Sequence, residues 1–575
     1  MRIRHLSVRN FRGIRELDWP VPDCRILCLI GRGDSTKSTI LEALRRVFHP
    51  QWNQSFDDAD FYHCNPANTI TIEVVLGDLP DTFRDLEKYG HWLCGWNART
   101  LARTNDPGEG LEDALRIRLA VSDDLEPSWS VIKNDEDEGV SFKATDRAKV
   151  AVSLIGAVSD RHLTWSRGSI LSQLTETENI SSSLAGAARA AKAALESRRA
   201  EDLTGFDEVA GVAETTARAL GVNVGAAYKA HLDTDAINVR MAGLALHDGD
   251  MPLRQLGLGS RRMLTTGLQK QALRTPHITL FDEVEIGLEP HRIARLLQHL
   301  KEDGTGQYFL TTHSPVVLRE LTVADLNIVH CDSGHIDVVT ANKPAIADSI
   351  QGKIRSGAEA FLAPKIIVCE GATEVGFLRG LDDHWVESEG EDSLAYRGVS
   401  LFDANGASKI KEIAENLKAL GYDVAVLVDS DEPEQFSDAH ARALREAGIT
   451  VAKWGGELSI EERVFADIPW EGVLASFDAA RAIWNDDARL LDQVQSQFGP
   501  GFDRDFVVWI DSQELRTALG RAAKESRNNN SGWFKRQSWG REWAAAISGH
   551  LGNDAIRESD LVRQLTSLRN WIDNV

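Results

Sequence analysis

Carboxylates at the ends of apolar runs are the most chemically informative feature of this chain. Ile366-Ile367-Val368-Cys369 stops at Glu370, with Glu374 four residues on; Val424-Ala-Val-Leu-Val428 stops at Asp429, with Asp431 two residues on. Continuous apolar runs of this length read as strands buried on both faces, and open α/β sheets bind ligands at the C-terminal ends of such strands. A carboxylate at a strand end and another one helical turn on can face the same ion, while Asp-x-Asp puts alternate side chains of an extended chain on one side. Hard oxygen donors grouped in this way suit Mg²⁺ or Mn²⁺. Two such ions can stabilise the attacking and leaving oxygens of a phosphodiester cleavage.

A second set lies nearer the start. Cys24-Arg-Ile-Leu-Cys-Leu-Ile30 runs into Gly31-Arg-Gly-Asp-Ser-Thr-Lys37-Ser38-Thr39 and an amphipathic helix from Ile40 to Phe48. Strand, glycine-bearing loop, Lys-Ser and helix is the context of a phosphate-binding loop: backbone N–H groups and the helix N-terminus attract phosphates, Lys37 adds charge, and Ser38 offers a hydroxyl to Mg²⁺. Gly31, Gly33, Lys37, Ser38 and Thr39 are the candidate nucleotide ligands. Thr36 departs from the pattern, standing where GxxxxGK[ST] has its second glycine, and a Cβ there restricts the backbone that wraps the phosphate. Further on, Ile278-Thr-Leu-Phe281 ends on Asp282 and Glu283, where Asp282 would support the Mg²⁺ shell and Glu283 would polarise the attacking water. Gln307-Tyr-Phe-Leu-Thr-Thr-His313 is another strand with a polar end, and His313 is placed to sense the γ-phosphate.

The elements that hold these groups follow from periodicity and composition. Residues 2–13 alternate as a strand and then turn, and residues 70–155 read as strands, with a Cys-Trp-rich excursion at 90–105 read as helical. From 168 to 220 the chain is Ala-rich and helical, clearest at Ala185 to Arg199; without a sustained heptad, a short helical pair for dimerisation is expected. Asp160 to Arg167 reads either as basic side chains near nucleotide or DNA or as a solvated turn, and the acidic run Asp135 to Glu138 as a solvated loop. A helical stretch from Ile346 to Phe361 leads to a junction at Pro364. The C-terminal tryptophans read mainly as the core of a helical subdomain, with a DNA-facing surface among Arg521, Lys524, Arg527, Lys535, Arg536 and Arg541 as the alternative.

Composition sets the outer limits. A length of 575 residues with 42% apolar content points to several globular domains. With 64 basic against 87 acidic residues, the net charge of −23 argues against a coat for non-specific DNA binding, so a nucleic-acid partner has to come from the motifs. Six cysteines without CxxC pairs speak against a disulfide framework and a zinc finger. No run of about 18 apolar residues and no signal-like start are present, so a cytoplasmic location is expected.

The order of phosphate loop, Leu256-Gly-Leu-Gly-Ser260-Arg-Arg, Asp-Glu strand and His switch resembles the ATP-binding-cassette (ABC) ATPases of the RecF and SMC type, as does Leu6-Ser-Val-Arg-Asn-Phe-Arg-Gly13. That resemblance implies a homodimer or higher homo-oligomer in which Ser260 is donated in trans to the nucleotide of another copy. The signature departs from the family's, with Gly-Leu-Gly-Ser in place of Ser-Gly-Gly. Glu370-Gly-Ala-Thr-Glu374, Leu401-Phe-Asp-Ala-Asn-Gly406 and Asp429-Ser-Asp431 resemble the Toprim domain of topoisomerases, bacterial primases and certain nucleases. Neither a recognisable tyrosine module nor a zinc-binding cysteine set accompanies it, which sets topoisomerases and primases aside.

An ABC-type ATPase followed by a Toprim domain resembles the OLD (overcoming lysogenisation defect) family of nucleases. Trp454-Gly-Gly-Glu-Leu-Ser459-Ile-Glu-Glu462 resembles the Ser-x-x-Glu element completing that family's metal site, and Gly532-Trp-Phe-Lys535 its lysine segment. The resemblance implies a catalytic set of Glu370, Glu374, Asp429, Asp431, Glu462 and Lys535. Ser459 joins the carboxylates as a metal ligand, and Ser38 and Asp282 serve the Mg²⁺ of ATP. Glu462 is chosen over the adjacent Glu461 by spacing, and Lys535 is expected to stabilise charge on the scissile phosphate.

The expected architecture is therefore an α/β chain. ATPase halves at 1–160 and 246–350 flank a helical dimerisation insertion at 161–245, a Toprim core follows at 362–475, and a helical region at 476–575 completes the site. The expected function is an ATP-regulated, Mg²⁺- or Mn²⁺-dependent DNA endonuclease in bacterial anti-phage defence, acting alone or beside a UvrD-like helicase. Its rivals are a RecF-like DNA-binding ATPase with a non-catalytic Toprim domain and an RNA- or tRNA-directed toxin nuclease.

Overall fold

The computed structural model describes residues 1–51, 54–135, 138–155, 207–219, 246–272, 277–341, 344–524 and 532–574, with a few single residues between. The Ala185 to Arg199 helix, most of the stretch from Asp160 to Arg167, residues 136–137 and Arg527 lie outside them. Within the expected insertion, the described secondary structure is one helix, Asp207–Ala219.

The first half is built on a sheet that joins two kinds of strand. On one side, five strands run parallel: Val152–Ile155, β2 (Ile278–Phe281), β3 (Gln307–Thr311), β1 (Ile26–Ile30) and Leu326–Asp332, in that spatial order. β1 is buried at all five positions, as its unbroken apolar sequence requires, and it feeds directly into α1 (Lys37–Val47). Later in the chain come α2 (Leu258–Ala272), β2 (Ile278–Phe281) and β3 (Gln307–Thr311). The loops after β1, β2 and β3 therefore meet at one sheet edge. On the other side, Arg2–Phe11 pairs antiparallel with Ile14–Pro20 and Ile70–Gly77, and the latter with Glu112–Val121.

The excursion at 90–105 is a β-hairpin with a short 3₁₀ turn before it, and not a helix. Cys94–Asn97 pairs with Ala102–Thr104 around Leu101 at φ 51°, and Cys94 and Trp96 both point into a small core with Val75 and Ala114. Burial of Cys94 and Trp96 in a strand against Val75 and Ala114 outweighs the weak helical signal there.

The second half carries a four-stranded, all-parallel sheet: β4 (Lys365–Cys369) sits between β5 (Val399–Asp403) and β6 (Asp423–Val428), and β7 (Thr450–Lys453) lies outside β6. Helix α3 (Ala372–His384) follows β4. After β7 the chain is helical: α4 (Ile460–Asp467), then α5 (Gln513–Lys524) and α6 (Gln537–Leu551) close on the sheet. Trp533 and Trp543 are fully buried among these helices, Trp454 nearly so, and Phe534 stacks on Trp543 with ring centroids 4.3 Å apart, so tryptophans form the core of this subdomain.

Packing does not stop at Pro364. One hydrophobic cluster runs from Ile26 and Leu310, through Ile354, Ala358 and Phe361, to Ile366, Val426 and Val451. Polar contacts bridge the same seam: Tyr422 donates its hydroxyl to Phe361 O at 2.7 Å, and His330 Nε2 lies 2.8 Å from Leu420 O. The two sheets are thus halves of one packed body. No helix among the described residues is long and apolar enough to cross a membrane.

Candidate functional site

The carboxylates assemble where two neighbouring parallel strands end. Glu370 follows β4 and Asp429 follows β6, and the Asp429 N–H donates to Glu370 Oε2 at 3.3 Å. Glu374 lies in the first turn of α3, where it accepts the Gly371 N–H at 2.8 Å and is buried. Asp403, at the end of β5, accepts the Asn405 N–H at 2.8 Å instead of joining the cluster.

Two lysines from the C-terminal region complete the arrangement, Lys524 at the end of α5 and Lys535 ahead of α6. Lys535 Nζ lies 2.9 Å from Glu461 Oε1, and Glu461 is fully buried. Lys524 Nζ lies 2.9 Å from Asp431 Oδ2 and 3.1 Å from Glu462 Oε2. Ser459 caps α4: its Oγ accepts the Glu462 N–H at 3.3 Å while Glu462 Oε2 accepts the Ser459 N–H at 3.1 Å, a reciprocal capping box. The structure therefore brings Glu461, which the spacing argument passed over, into the buried group with Glu374, Asp429 and Lys535. It leaves Glu462 and Asp431 on Lys524 at the rim, with Ser459 buried as the helix cap.

Close helix packing holds Lys535 at this depth. A Cβ on Gly376 would fall 2.3 Å from Gln537 O, one on Gly380 2.5 Å from Arg541 O, and one on Gly540 2.7 Å from Thr373 O. Glycine at these positions lets α3 and α6 touch backbone to backbone, so the residue just ahead of α6 reaches the residue in the first turn of α3. Thr373 Oγ1 donates to Phe534 O at 3.2 Å across the same contact.

The electrostatics are those of an under-neutralised acidic cluster. Burial first, and then Glu374 and Asp431, push Glu370 up to about 8. Burial raises Glu374 to about 7, Lys535 opposing and Glu461 adding to the rise. Asp429 is raised well above the ordinary carboxylate range by burial and by Glu374 and Glu370. For Lys535 burial acts against the charge, but Glu461 and Glu374 outweigh it and hold the ammonium more firmly protonated than usual. Asp429 Oδ1 and Glu461 Oε2 are buried without a hydrogen-bond partner, a costly state for carboxylate oxygens. Orphaned hard oxygens beside repelling carboxylates fit a divalent cation. In the arrangement observed, no three Asp, Glu, His or Cys side chains among the described residues converge as ion ligands; the lysines hold the set in two halves.

The nucleotide residues also assemble. Ser38 Oγ and Thr311 Oγ1 both donate to Asp282 Oδ1 at 2.8 Å, and the Glu283 N–H donates to Thr311 Oγ1 at 2.7 Å, tying the ends of α1, β2 and β3 together. Lys37 is buried and folds back on its own loop, donating to Gly31 O at 3.1 Å, Arg32 O at 2.7 Å and Ser35 Oγ at 3.0 Å; burial lowers its pKa. Gly31 has to be glycine: its φ is +147° and a Cβ would sit 2.4 Å from Val329 O. Gly33 and Ser38 are exposed and Thr39 is half-buried. Thr36 adopts φ 63°, ψ 14°, the left-handed region that a β-branched residue enters only under strain.

His313 is exposed, its N–H donating to Glu285 Oε1 at 2.7 Å, while Glu285 Oε2 accepts Thr312 Oγ1 at 2.7 Å. Ser260, in the first turn of α2, accepts from Arg292 Nη1 at 3.2 Å; none of its hydrogen bonds reaches the phosphate loop. Two residues outside the sequence expectation fix this edge. One is Glu285; the other is Arg262, whose buried guanidinium donates to Asp282 O at 2.5 Å. Only their contacts distinguish them, since a buried arginine with carbonyl partners has no sequence pattern.

Two stretches of the chain match known families. Residues 145–319 match the family model described as "AAA domain, putative AbiEii toxin, Type IV TA system", and residues 361–431 match "Overcoming lysogenization defect protein-like, TOPRIM domain". The chain therefore carries an ATPase-type domain followed by an OLD-like Toprim domain, in the order the motifs imply. No curated protein sequence matches the chain. Among solved structures it is similar to the SMC head domain from Thermotoga maritima, at 15% identity over 59% of this chain and 99% of that one, with a TM-score of 0.29. It is also similar to the recombination mediator protein RecF with ATP, at 13% identity over 59% and 99%, with a TM-score of 0.33. At such scores the fold rests on the strand order and not on the likeness.

Proposed function

We propose that the chain is an ATP-regulated, divalent-cation-dependent DNA endonuclease serving anti-phage defence. The observation that carries this reading is the buried group of Glu374, Asp429 and Glu461 with Lys535, joined by the half-buried Glu370, at the ends of two parallel strands. Glu370, Asp429, Asp431 and either glutamate of α4 are the residues that would hold Mg²⁺ or Mn²⁺. When bound, such an ion supplies positive charge to the phosphoryl oxygens and lowers the pKa of water. The protein's own part is to gather these carboxylates in one place, where a divalent ion would favour their ionised form, and to exclude bulk water from their buried side. Lys535 remains protonated and faces the phosphate, where a fixed positive charge stabilises the pentavalent transition state.

In the first half, Lys37, the N-terminus of α1 and Ser38 with Asp282 would receive ATP with its Mg²⁺, and Glu283 would orient water for hydrolysis. Ser260 bonds Arg292 and not its own phosphate loop, which supports a dimer in which it serves the partner's nucleotide. The packed seam between the sheets gives nucleotide state a mechanical path to the carboxylates.

Supercoiled plasmid with Mg²⁺ or Mn²⁺, with and without ATP, is the decisive substrate. Wild type should nick it, and Glu370→Ala and Asp429→Ala should not; equal cutting by both variants would refute the site. The rival reading is an RNA- or tRNA-directed toxin nuclease. Faster cleavage of tRNA than of plasmid in the same reaction would select it.

A further inference from the structure

Two lysines face the carboxylates, and the reading above uses only one of them. Lys535 sits deep, against the fully buried Glu461. Lys524, the last residue of α5, sits at the rim: its side chain is 36% exposed, whereas those of its partners Asp431 and Glu462 are 12% and 13% exposed. A long side chain in that position can swing its ammonium into water while its stem stays packed. The helix itself is fixed, because a Cβ on Gly520 would fall 2.9 Å from Glu462 Cα, so the freedom belongs to the side chain alone.

One backbone junction sets both lysines. The Trp533 N–H donates to Ala523 O at 2.8 Å, next to Lys524, and a Cβ on Gly532 would meet Lys535 Cγ at 2.7 Å and Ala523 O at 3.1 Å. The pair is thus built as a unit, one ammonium buried and one at the solvent edge. Lys524 spans Asp431 and Glu462 with a single positive charge, at the position where the proposed chemistry needs a double one. An ammonium and a divalent cation cannot share those two carboxylates, because their repulsion at a few ångströms reaches several kcal/mol at an effective dielectric of about 20.

We propose that Lys524 is an exchangeable cation of the site. Without a divalent ion it neutralises Asp431 and Glu462. When those carboxylates take up a divalent ion, it is released toward solvent, where it binds a backbone phosphate of the substrate strand beside the scissile bond. The proposal rests on the metal-dependent nuclease reading. It has a consequence that an ordinary stabilising ion pair lacks: by linkage, removing the lysine makes the divalent cation bind more tightly.

The test uses the full chain and two readouts. Mn²⁺ binding is measured by calorimetry without nucleic acid, and KM and kcat for plasmid nicking are measured at saturating Mn²⁺. Lys524→Gln should bind Mn²⁺ about tenfold more tightly and show about a tenfold higher KM, a fold-change typical of one lost charged phosphate contact. Lys524→Arg, which keeps the charge, should stay near wild type in both and covers the case of a poorly folded Gln variant. Unchanged or weaker Mn²⁺ binding by Lys524→Gln overturns the exchange, as does an unchanged KM. Failure of wild type to bind Mn²⁺, or binding indifferent to Asp431→Asn, instead overturns the metal-site reading beneath it.

Discussion

The phosphate loop and the carboxylate cluster solve the same problem with opposite signs. Both lie at the ends of parallel strands, and both satisfy their unpaired charge with the protein's own groups. In the loop, a cation, Lys37, turns back onto two carbonyls and a hydroxyl. In the cluster, two lysines turn onto three acidic side chains, Asp431, Glu462 and Glu461, and still leave Asp429 Oδ1 and Glu461 Oε2 unbonded. The stand-in reveals the ligand: a lysine resting on carbonyls awaits an anion, and carboxylates resting on lysines await a cation. Lys37 finds three partners within its loop, whereas the cluster leaves two carboxylate oxygens without one, so the cluster should be the more sensitive to loss of one group.

The largest expected effect separates the two neighbouring glutamates of α4. Glu461 is fully buried against Lys535, whereas Glu462 divides itself between the helix cap and Lys524. Glu461→Gln should lower plasmid nicking at least about 100-fold, the upper range for changes around a metal site, while Glu462→Gln should cost about tenfold and destabilise the helix cap by about 1 kcal/mol. Nicking rates with matched melting curves decide it; equal losses would return Glu462 to the rank that its spacing suggested.

Next comes the loop's own cation. Lys37→Ala should weaken binding of a fluorescent ATP analogue by about 10- to 100-fold, the value of one charged hydrogen bond, with no comparable loss of metal binding at the Toprim site. Loss of both would mean that the shared core carries more than position.

A smaller effect contrasts the two halves in pH. Glu370 and Glu374 are raised from the ordinary 4.5 to about 8 and about 7. A carboxyl group raised on folding stabilises the protein below its unfolded pKa and loses that contribution as pH rises through the folded value. Melting temperature of the metal-free protein should therefore fall between about pH 5 and 8, and Mg²⁺ should flatten the slope by favouring the ionised form. Asp303, in the first half, behaves oppositely: the Tyr308 hydroxyl and Thr305 hold it down at about 2 against burial, so its contribution is constant over that range and fades only in acid. A flat profile without metal would mean that the carboxylates are already neutralised by the lysines.

How much of this was legible in the sequence depends on what each feature answers to. Ile26–Ile30, Ile278–Phe281, Lys365–Cys369 and Asp423–Val428 could be read because a strand covered on both faces is almost wholly apolar, and the glycine loop after the first and the carboxylates that stop the other three mark the sheet's ligand edge. The choice between Glu461 and Glu462 could not be read, since adjacent helical positions point about 100° apart and only the packing of α5 on α4 tells which one is turned inward. Lys524 meets Glu462 across 62 residues of chain, a distance over which no local pattern speaks. The hairpin at 94–104 escapes the local pattern because its burial depends on Val75 and Ala114, which lie outside it.

The smallest expected effect concerns Thr36, where the reading of the residue and its conformation meet. The sequence marks a missing glycine, and the structure shows the residue in the left-handed conformation that the glycine would have taken, at φ 63°. The loop has kept its shape and carries the strain, about 1–3 kcal/mol for a non-glycine residue there. Thr36→Gly should remove that strain while losing the Thr36 Oγ1 hydrogen bond to Ser35 O at 2.6 Å and the rigidity of a β-branched residue in the unfolded chain. The balance is a gain of about 1 kcal/mol or less, read as a slightly higher melting temperature and a few-fold tighter ATP analogue. A loosened loop that binds ATP more weakly would show instead that Thr36 is part of the nucleotide site, its Cβ contacting the ligand or fixing the turn from Gly13, whose own Cβ would meet Thr36 Cγ2 at 3.0 Å.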